Sequence, residues 1–280
     1  MTYIVHGASG AQGSPVLSAL AAAGHHATAA VRNTSAIGGS SVAVDYTSVD
    51  SLVNAYTGTD GIFVHIPIGP VEDQMAFAHA IADAVRRARP ERVVFSTSGA
   101  TIDESASPSS AAEIFAHQLA ESGVSYAVIE PRLFLENLLL PVSLGPVRED
   151  GRLMYPIRDD YAASWSSHLD IADVAVRLLS DHSVSGIVSV GALPGLVGDD
   201  LAKGFAAYFA RPVGFDAITP DHYGDMITPL FGEGAAGPVI ESYRHRAAQP
   251  DEVISHDRSA QKLLGISPRS VQQWLSDLGV

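Results

Sequence analysis

Gly7-Ala8-Ser9-Gly10-Ala11-Gln12-Gly13 follows the apolar run Tyr3-Ile4-Val5 and opens a helical pattern that runs through Ala23. Glycines at these positions permit a tight strand-to-helix turn and remove the β-carbons that would hold a pyrophosphate away from the backbone. The N–H groups of the first helical turn then face an anion, and the helix dipole adds roughly 0.3 to 1 kcal/mol. A glycine triplet standing alone reads equally well as an ordinary turn. Here a strand precedes it, and Val16, Leu17 and Leu20 continue a helix after it. A second strand-like run, Ala27-Thr28-Ala29-Ala30-Val31, comes at the distance a strand-helix-strand unit requires. The stretch is therefore read as a dinucleotide cradle, with Gly7, Ser9, Gly10, Ala11, Gln12 and Gly13 as its binding residues.

The bulk properties narrow the class. With 280 residues, 46% of them hydrophobic, the chain can bury a substantial core in one large domain or two small ones. Its net charge of -14, from 31 acids against 17 bases, argues against a nucleic-acid surface, which needs clustered Lys and Arg. No cysteine is present, which excludes disulfides, thiolate metal sites and cysteine nucleophiles. No metal site is expected, and a reducing cytoplasm is the default location. The chain runs into its first strand without a basic leader, and no apolar run approaches the roughly 20 residues that span a bilayer. Neither export nor membrane insertion is expected, and a homodimer is among the assemblies the sequence permits.

Strand-like runs recur at Tyr3 to His6, Ala27 to Val31, Ser41 to Val44, Gly61 to Ile66, Arg92 to Ser96 and Tyr126 to Glu130, with helical patterns between most of them. This alternation predicts an α/β fold: a Rossmann-type, doubly wound parallel sheet with its ligand crevice at the carboxyl ends of the strands. Beyond Pro131 the regularity fails. A Leu-rich segment to Leu140 and a turn-rich stretch from Gly145 to Ala163 precede a helix from about Leu169 to Leu179. Gly186 to Val190 reads as a strand, Asp200 to Ala210 as a helix and Ser270 to Leu278 as a closing helix. The expected organisation is an NADP-binding domain over 1–131 and a smaller, mixed substrate-side lobe over 132–280, including segments that return to pack on the Rossmann core. The loop from Gly232 to Gly237 and the polar stretch Gln249 to Glu252 are read as flexible candidates for a lid.

After the second strand, where an acid would bind the ribose hydroxyls of NAD, stand Arg32-Asn33, and no acid follows before Asp45. That favours NADP(H), because an Arg on the 2′-phosphate is worth on the order of 1.5 to 3 kcal/mol. The competing reading is a solvated surface arginine. Asp45-Tyr46 is placed to flank the adenine, or Asp45 is a satisfied turn aspartate. Ile66-Pro67 would wall the cofactor where it crosses the sheet, while His65 before them reads as a packed histidine rather than a ligand.

Several stretches point to one family. Gly7 to Gly13, Val31-Arg32-Asn33, Val94-Phe95-Ser96, Leu119 to Gly123, and Pro131 with Phe134, Glu136 and Asn137 resemble the NmrA-like group of atypical short-chain dehydrogenases/reductases. That group includes quinone and triphenylmethane-dye reductases, benzylic ether reductases and NADP-sensing regulators. Asp170 to Ala175, Gly204 through Pro212-Val213, and Ile266 to Leu275 extend the likeness over nearly the whole chain. The resemblance implies an NADP(H)-dependent oxidoreductase. It also exposes a departure: many short-chain reductases carry a Tyr-x-x-x-Lys pair, and here the only lysines are Lys203 and Lys262, neither with a tyrosine four residues earlier. Counted back from Leu119, the family's lysine position falls on Ala112 and its tyrosine position on Pro108.

Loss of a positioned general acid costs roughly 10²- to 10⁴-fold in rate, so reduction of a simple ketone by the usual route is disfavoured. A quinone or delocalised cation, which takes hydride without a strong proton donor, suits the chain better. Ser98, ending the fifth strand, is a replacement hydroxyl or a turn cap. Glu113 and His117, one helical turn apart, are an acid/base pair or a solvated surface pair. Tyr155 and His168 fall on the substrate side, as proton carriers or as packed residues. Phe134, Leu138 and Trp165 are the expected apolar substrate contacts. The leading expectation is hydride transfer to a small aromatic or quinonoid compound. A non-catalytic NADP(H)-sensing regulator, and a non-redox cyclase, dehydratase or isomerase on a reductase scaffold, remain open.

Overall fold

The computed structural model describes residues 1–280, Ala36 by its backbone alone. The chain divides into two compact units. One comprises Met1–Pro131, His168–Val190 and His256–Ile266; the other comprises Arg132–Ser167, Gly191–Ser255 and Ser267–Val280.

In the first unit strands and helices alternate: β1 (Thr2–His6), α1 (Gly13–Ala22), β2 (His26–Val31), β3 (Ser41–Ala43), α2 (Val49–Tyr56), β4 (Gly61–His65), α3 (Val71–Ala88), β5 (Arg92–Ser96), α4 (Ala111–Glu121) and β6 (Ser125–Pro131). The second unit then takes β7 (Leu133–Phe134), α5 (Pro141–Asp150), β8 (Arg152–Tyr155) and β9 (Trp165–Ser166). The chain returns to the first unit with α6 (His168–Ser180) and β10 (Gly186–Val190). It goes back to the second for α7 (Gly198–Phe209), β11 (Gly214–Ala217), α8 (Pro220–Phe231) and α9 (Glu233–Ala247). Finally α10 (Ala260–Leu264) joins the first unit and α11 (Val271–Leu278) the second.

Seven strands make one sheet in the order β10-β6-β5-β4-β1-β2-β3, and every neighbouring pair is parallel. This is the expected Rossmann-type architecture. Strand order reverses between β1 and β4, the topological switch point at whose carboxyl side such sheets bind ligands. Buried Ile4, Ile62, Val64, Val93, Phe95 and Val128 share one core with α2, α3 and α4. The alternate residues Val5, Phe63 and Val94 are equally buried and point to the other face, where α1 packs with α6. Burial on both faces explains why these strands read as continuous apolar runs. At the amino end of β5, enclosed Arg92 donates to the carbonyls of Leu178, Tyr126 and Val184 and to Ser125 Oγ. The guanidinium is thus held directly by neutral acceptors, with Asp181 acting on it at longer range, and it ties β5 to β6 and to the loop before β10.

In the second unit β8 pairs with β11 and β7 with β9, while α8 packs on α9 and α7 on α11. Here the sequence reading needs correction. The stretch read as turn-rich from Gly145 holds the end of α5 and strand β8, and Pro146 sits inside the helix. The expected loop at Gly232 to Gly237 is the start of α9, which runs on through Gly234, Gly237 and Pro238. Burial of Ala236 and Tyr243 outweighs the poor local propensity. Gln249 to Glu252 is pinned rather than loose. Arg158 donates to the carbonyls of Ala247, Gln249 and Pro250, and Glu252 pairs with Arg246 at 2.7 Å.

Candidate functional site

The turn between β1 and α1 owes its shape to its glycines. Gly7 has φ +57°, and its carbonyl accepts the Gly10 N–H at 2.8 Å. A Cβ on Gly13 would lie 2.4 Å from the carbonyl oxygens of both Gly7 and His6, so only glycine lets the helix begin this close to the strand. Ser9, Gly10 and Ala11 are exposed. Among the described residues no side chain caps the helix start, and no acid stands in its first turn. Open amides, the positive end of a helix dipole and no competing carboxylate fit a pyrophosphate.

The Gln12 side chain is engaged within the protein. Its Nε2 donates to Ser98 Oγ at 2.9 Å and its Oε1 accepts from Ser96 Oγ at 2.8 Å, a brace from the turn to the end of β5. Ser98 is exposed and has φ +57°. For a residue with a β-carbon that conformation costs on the order of 1 kcal/mol or more, and it presents a hydroxyl held in place by Gln12.

His65, read from the sequence as a packed histidine, is largely buried at the end of β4. The register pairs Val5 with Phe63, so its continuation sets Gly7 level with His65, and the next pairing joins His65 to Ser96. Gly7, His65 and Ser96 therefore form a row along the carboxyl edge of β1, β4 and β5. A Cβ on Gly7 would fall 2.1 Å from His65 Nε2, so the missing side chain also makes room for the imidazole. The signal available in the sequence was positional: a titratable residue closing the strand beside the glycine turn. Burial lowers the pKa of His65. It also takes His6 down to about 3 and His168 down to about 4, His65 adding to both shifts. His6 Nε2 meets the Tyr56 hydroxyl at 2.8 Å.

Arg32 is exposed and has no hydrogen bond or ion pair among the described residues, which leaves its guanidinium open to an anion. Asn33 Oδ1 accepts from the Ser35 N–H at 3.0 Å and from Ser35 Oγ at 2.7 Å, which turns the chain just after Arg32. Asp45 is the satisfied turn aspartate, with Oδ1 taking the N–H and Oγ1 of Thr47. Tyr46 is buried under the turn, where its hydroxyl accepts the Gly7 N–H. Burial raises its pKa to about 12, and its ring stands edge-on to His6 at 5.2 Å. Ile66 and Pro67 are partly buried, and Ile66 packs on the core.

Glu113 and His117 lie on α4 but do not pair with each other among the described residues. Glu113 Oε2 accepts the N–H and hydroxyl groups of Ser109 and Ser110, closing a capping box with Ser110. These donors bring its carboxyl down to about 2. A group ionised at any ordinary pH has no proton to give. His117 Nδ1 stands 3.6 Å from Glu121. Both residues border a cavity of about 210 Å³ over β6 and β10, at the far end of the sheet from the glycine turn. Ala112 is buried in the first turn of the same helix.

In the second unit Tyr155 is enclosed. Its hydroxyl hydrogen-bonds that of Tyr243, and the Asn137 side chain reaches both. Burial and the neighbouring tyrosines push Tyr155 far above its ordinary value. Trp165 packs edge-on at 5.5 Å from it, with Nε1 lacking a partner among the described residues. Leu138 and Trp165 are fully enclosed, whereas Phe134, level with Ser166 in the β7-β9 pair, keeps a partly exposed ring.

Comparison with known proteins agrees with this architecture. The model of the NmrA-like family matches residues 1–275. The chain is 28% identical over 250 residues to the NAD(P)H azoreductase of Xenophilus azovorans, a match covering 88% of this chain and 85% of that one. Among solved structures, it is similar to triphenylmethane reductase of Citrobacter sp. complexed with NADP(H), with TM-score 0.76, 17% identity and coverage of 97% and 98% of the two chains. It is also similar to an NADPH-dependent quinone oxidoreductase of Escherichia coli complexed with NADPH, with TM-score 0.73, 18% identity and full coverage of both.

Proposed function

Because the chain belongs to the NmrA-like family, we propose that it is an NADP(H)-dependent oxidoreductase that reduces a small conjugated aromatic acceptor of azo, quinonoid or dye type. The observation that carries this reading is the start of α1, uncapped and free of acids among the described residues, with Arg32 after β2 exposed and without a hydrogen bond or ion pair among them. The turn shaped by Gly7, Gly10 and Gly13 would hold the pyrophosphate against the first turn of α1, and Arg32 would hold a 2′-phosphate. When bound, the reduced dinucleotide supplies the hydride.

The chain's own groups supply the rest. Ser98 Oγ, exposed at the end of β5 and fixed by Gln12 Nε2, is the hydroxyl proposed to hydrogen-bond the acceptor's heteroatom. Glu113 holds its charge at the cap of α4 and moves no proton. Tyr155 keeps its proton at Oη inside the second unit, where it orients Tyr243. An acceptor that disperses the incoming charge needs little more than this, which suits a chain with Ala112 and Pro108 at the positions matched to the family's lysine and tyrosine.

The test mixes purified protein with NADPH or NADH and a panel of azo dyes, quinones and cationic triphenylmethane dyes, and follows loss of nicotinamide absorbance. Turnover with NADPH preferred supports the reading. Tight NADPH binding with no acceptor consumed would turn it toward a non-catalytic sensor.

A further inference from the structure

The row Gly7, His65, Ser96 places an imidazole midway between the cradle and the serines of β5. In a sheet whose order reverses between β1 and β4, a dinucleotide lying across the carboxyl edge passes this point. His65 Nε2 already fits into the space left by the missing Cβ of Gly7. Its Nδ1 lies 3.4 Å from the Ile66 carbonyl, on the side of the ring away from the turn. The residue is partly exposed.

We propose that His65 belongs to the dinucleotide site, where Nε2 meets the pyrophosphate, and that it takes up a proton as the dinucleotide binds. The inference rests on the reading that the glycine turn holds NADP(H). In the free protein burial lowers the pKa of the imidazole and disfavours its cation. The titratable groups facing it are His6 at the end of β1 and His168 at the start of α6, both held neutral themselves. From β5 it meets Ser96, and the first turn of α1 brings no acid. Among the described residues no carboxylate raises the pKa of the imidazole, and a pyrophosphate beside Nε2 supplies the negative charge that favours imidazolium. The cation in turn strengthens the hold on the phosphates. The sign follows: the bound state binds more protons than the free state, so affinity rises as pH falls through the bound-state pKa and levels off below the free-state pKa.

The experiment is calorimetric titration of the full chain with NADP⁺ near pH 7 in two buffers of different ionisation enthalpy, repeated with NAD⁺. NAD⁺ lacks the 2′-phosphate, whose own titration near pH 6 would release protons on meeting Arg32 and oppose the signal. The expected result is net uptake with NAD⁺, and affinity several-fold higher near pH 6 than near pH 8, tenfold over the whole pH range being the ceiling for a shift of about one pKa unit. In His65→Gln, which retains a hydrogen-bonding side chain, uptake should vanish and affinity become flat with pH. Should that variant fail to fold, the imidazole resonances of the wild-type protein give the answer directly, by moving toward the protonated position when NAD⁺ is added at constant pH. Binding without uptake, or uptake retained in His65→Gln, overturns the proposal while leaving the cofactor reading intact. A flat titration with both nucleotides in every buffer overturns both.

Discussion

The glycine turn of the first unit and the tyrosine cluster of the second treat polar groups in opposite ways. At the turn, α1 starts without a side-chain cap, Arg32 has no partner among the described residues, and Ser98 is exposed in a strained conformation. In the cluster, Tyr155, Tyr243 and Asn137 satisfy one another behind Tyr223 and Trp165. Both regions hold residues whose types suggest chemistry. The difference lies in whether the structure has already used their hydrogen-bonding capacity: groups left open are available to a ligand, whereas groups paired in the dark mainly fix one packing.

The hardest test of that contrast is Gly13→Ala. Its Cβ would press on two backbone carbonyl oxygens that cannot swing away, so the helix must back off from the strand, with an overpacking cost of about 1 to 3 kcal/mol. We expect a lower thermal midpoint and at least a hundredfold weaker NADPH binding, read by calorimetry. Normal affinity in this variant would mean that the cradle is not where the dinucleotide sits. Arg32→Ala comes next, removing a charge-assisted contact of about 1.5 to 3 kcal/mol. NADPH affinity should fall ten- to a hundredfold while NADH affinity and the denaturation midpoint stay put. An equal loss for both nucleotides would show that Arg32 does not read the 2′-phosphate.

How far the sequence could be read follows the same division. β1 through β6 and the turn were legible because burial on both faces and glycine spacing are local signals, visible in Tyr3 to Gly13 without any partner. Helices α5 and α9 were not legible. Each carries glycine and proline in its first turns, and each is held by burial of residues such as Val147 and Tyr243, which only the folded chain reveals. That His65 packs was legible, but not what it packs against: its neighbour across the sheet, Gly7, is 58 positions away in sequence. Glu113 was visible as an acid, but not as the second half of a capping box until Ser109 and Ser110 were seen to donate to it.

A smaller effect should follow Tyr155→Phe. The change strips one hydroxyl from a closed pair and leaves Tyr243 with Asn137, so unfolding free energy should fall by about 1 to 2 kcal/mol. NADPH affinity should not move. Chemical denaturation beside calorimetry decides it. Unchanged stability with a large drop in turnover would place Tyr155 among the reacting groups and erase the contrast drawn above.

The smallest effect, and the one with a defined pH window, concerns Glu113. Its carboxyl is held near 2 against an ordinary 4.5 by the donors of Ser109 and Ser110. A depressed folded-state value means that the unfolded chain takes up the proton first, so the contribution is complete above about pH 4.5 and disappears as pH falls toward 2. Partial exposure and solvent screening keep it to about 0.5 to 1 kcal/mol, within the range of helix caps. Other carboxylates with lowered values, Asp103 beside it among them, titrate in the same region, so the informative quantity is the difference between wild type and Glu113→Gln rather than either curve alone. That difference in thermal midpoint should be constant from neutral pH to about pH 5 and close between there and pH 2. A gap that persists in acid would mean that the amide disrupts α4 for a reason other than charge. A gap of zero at neutral pH, joined to lost turnover, would return Glu113 to proton transfer, a role that its commitment to the cap argues against.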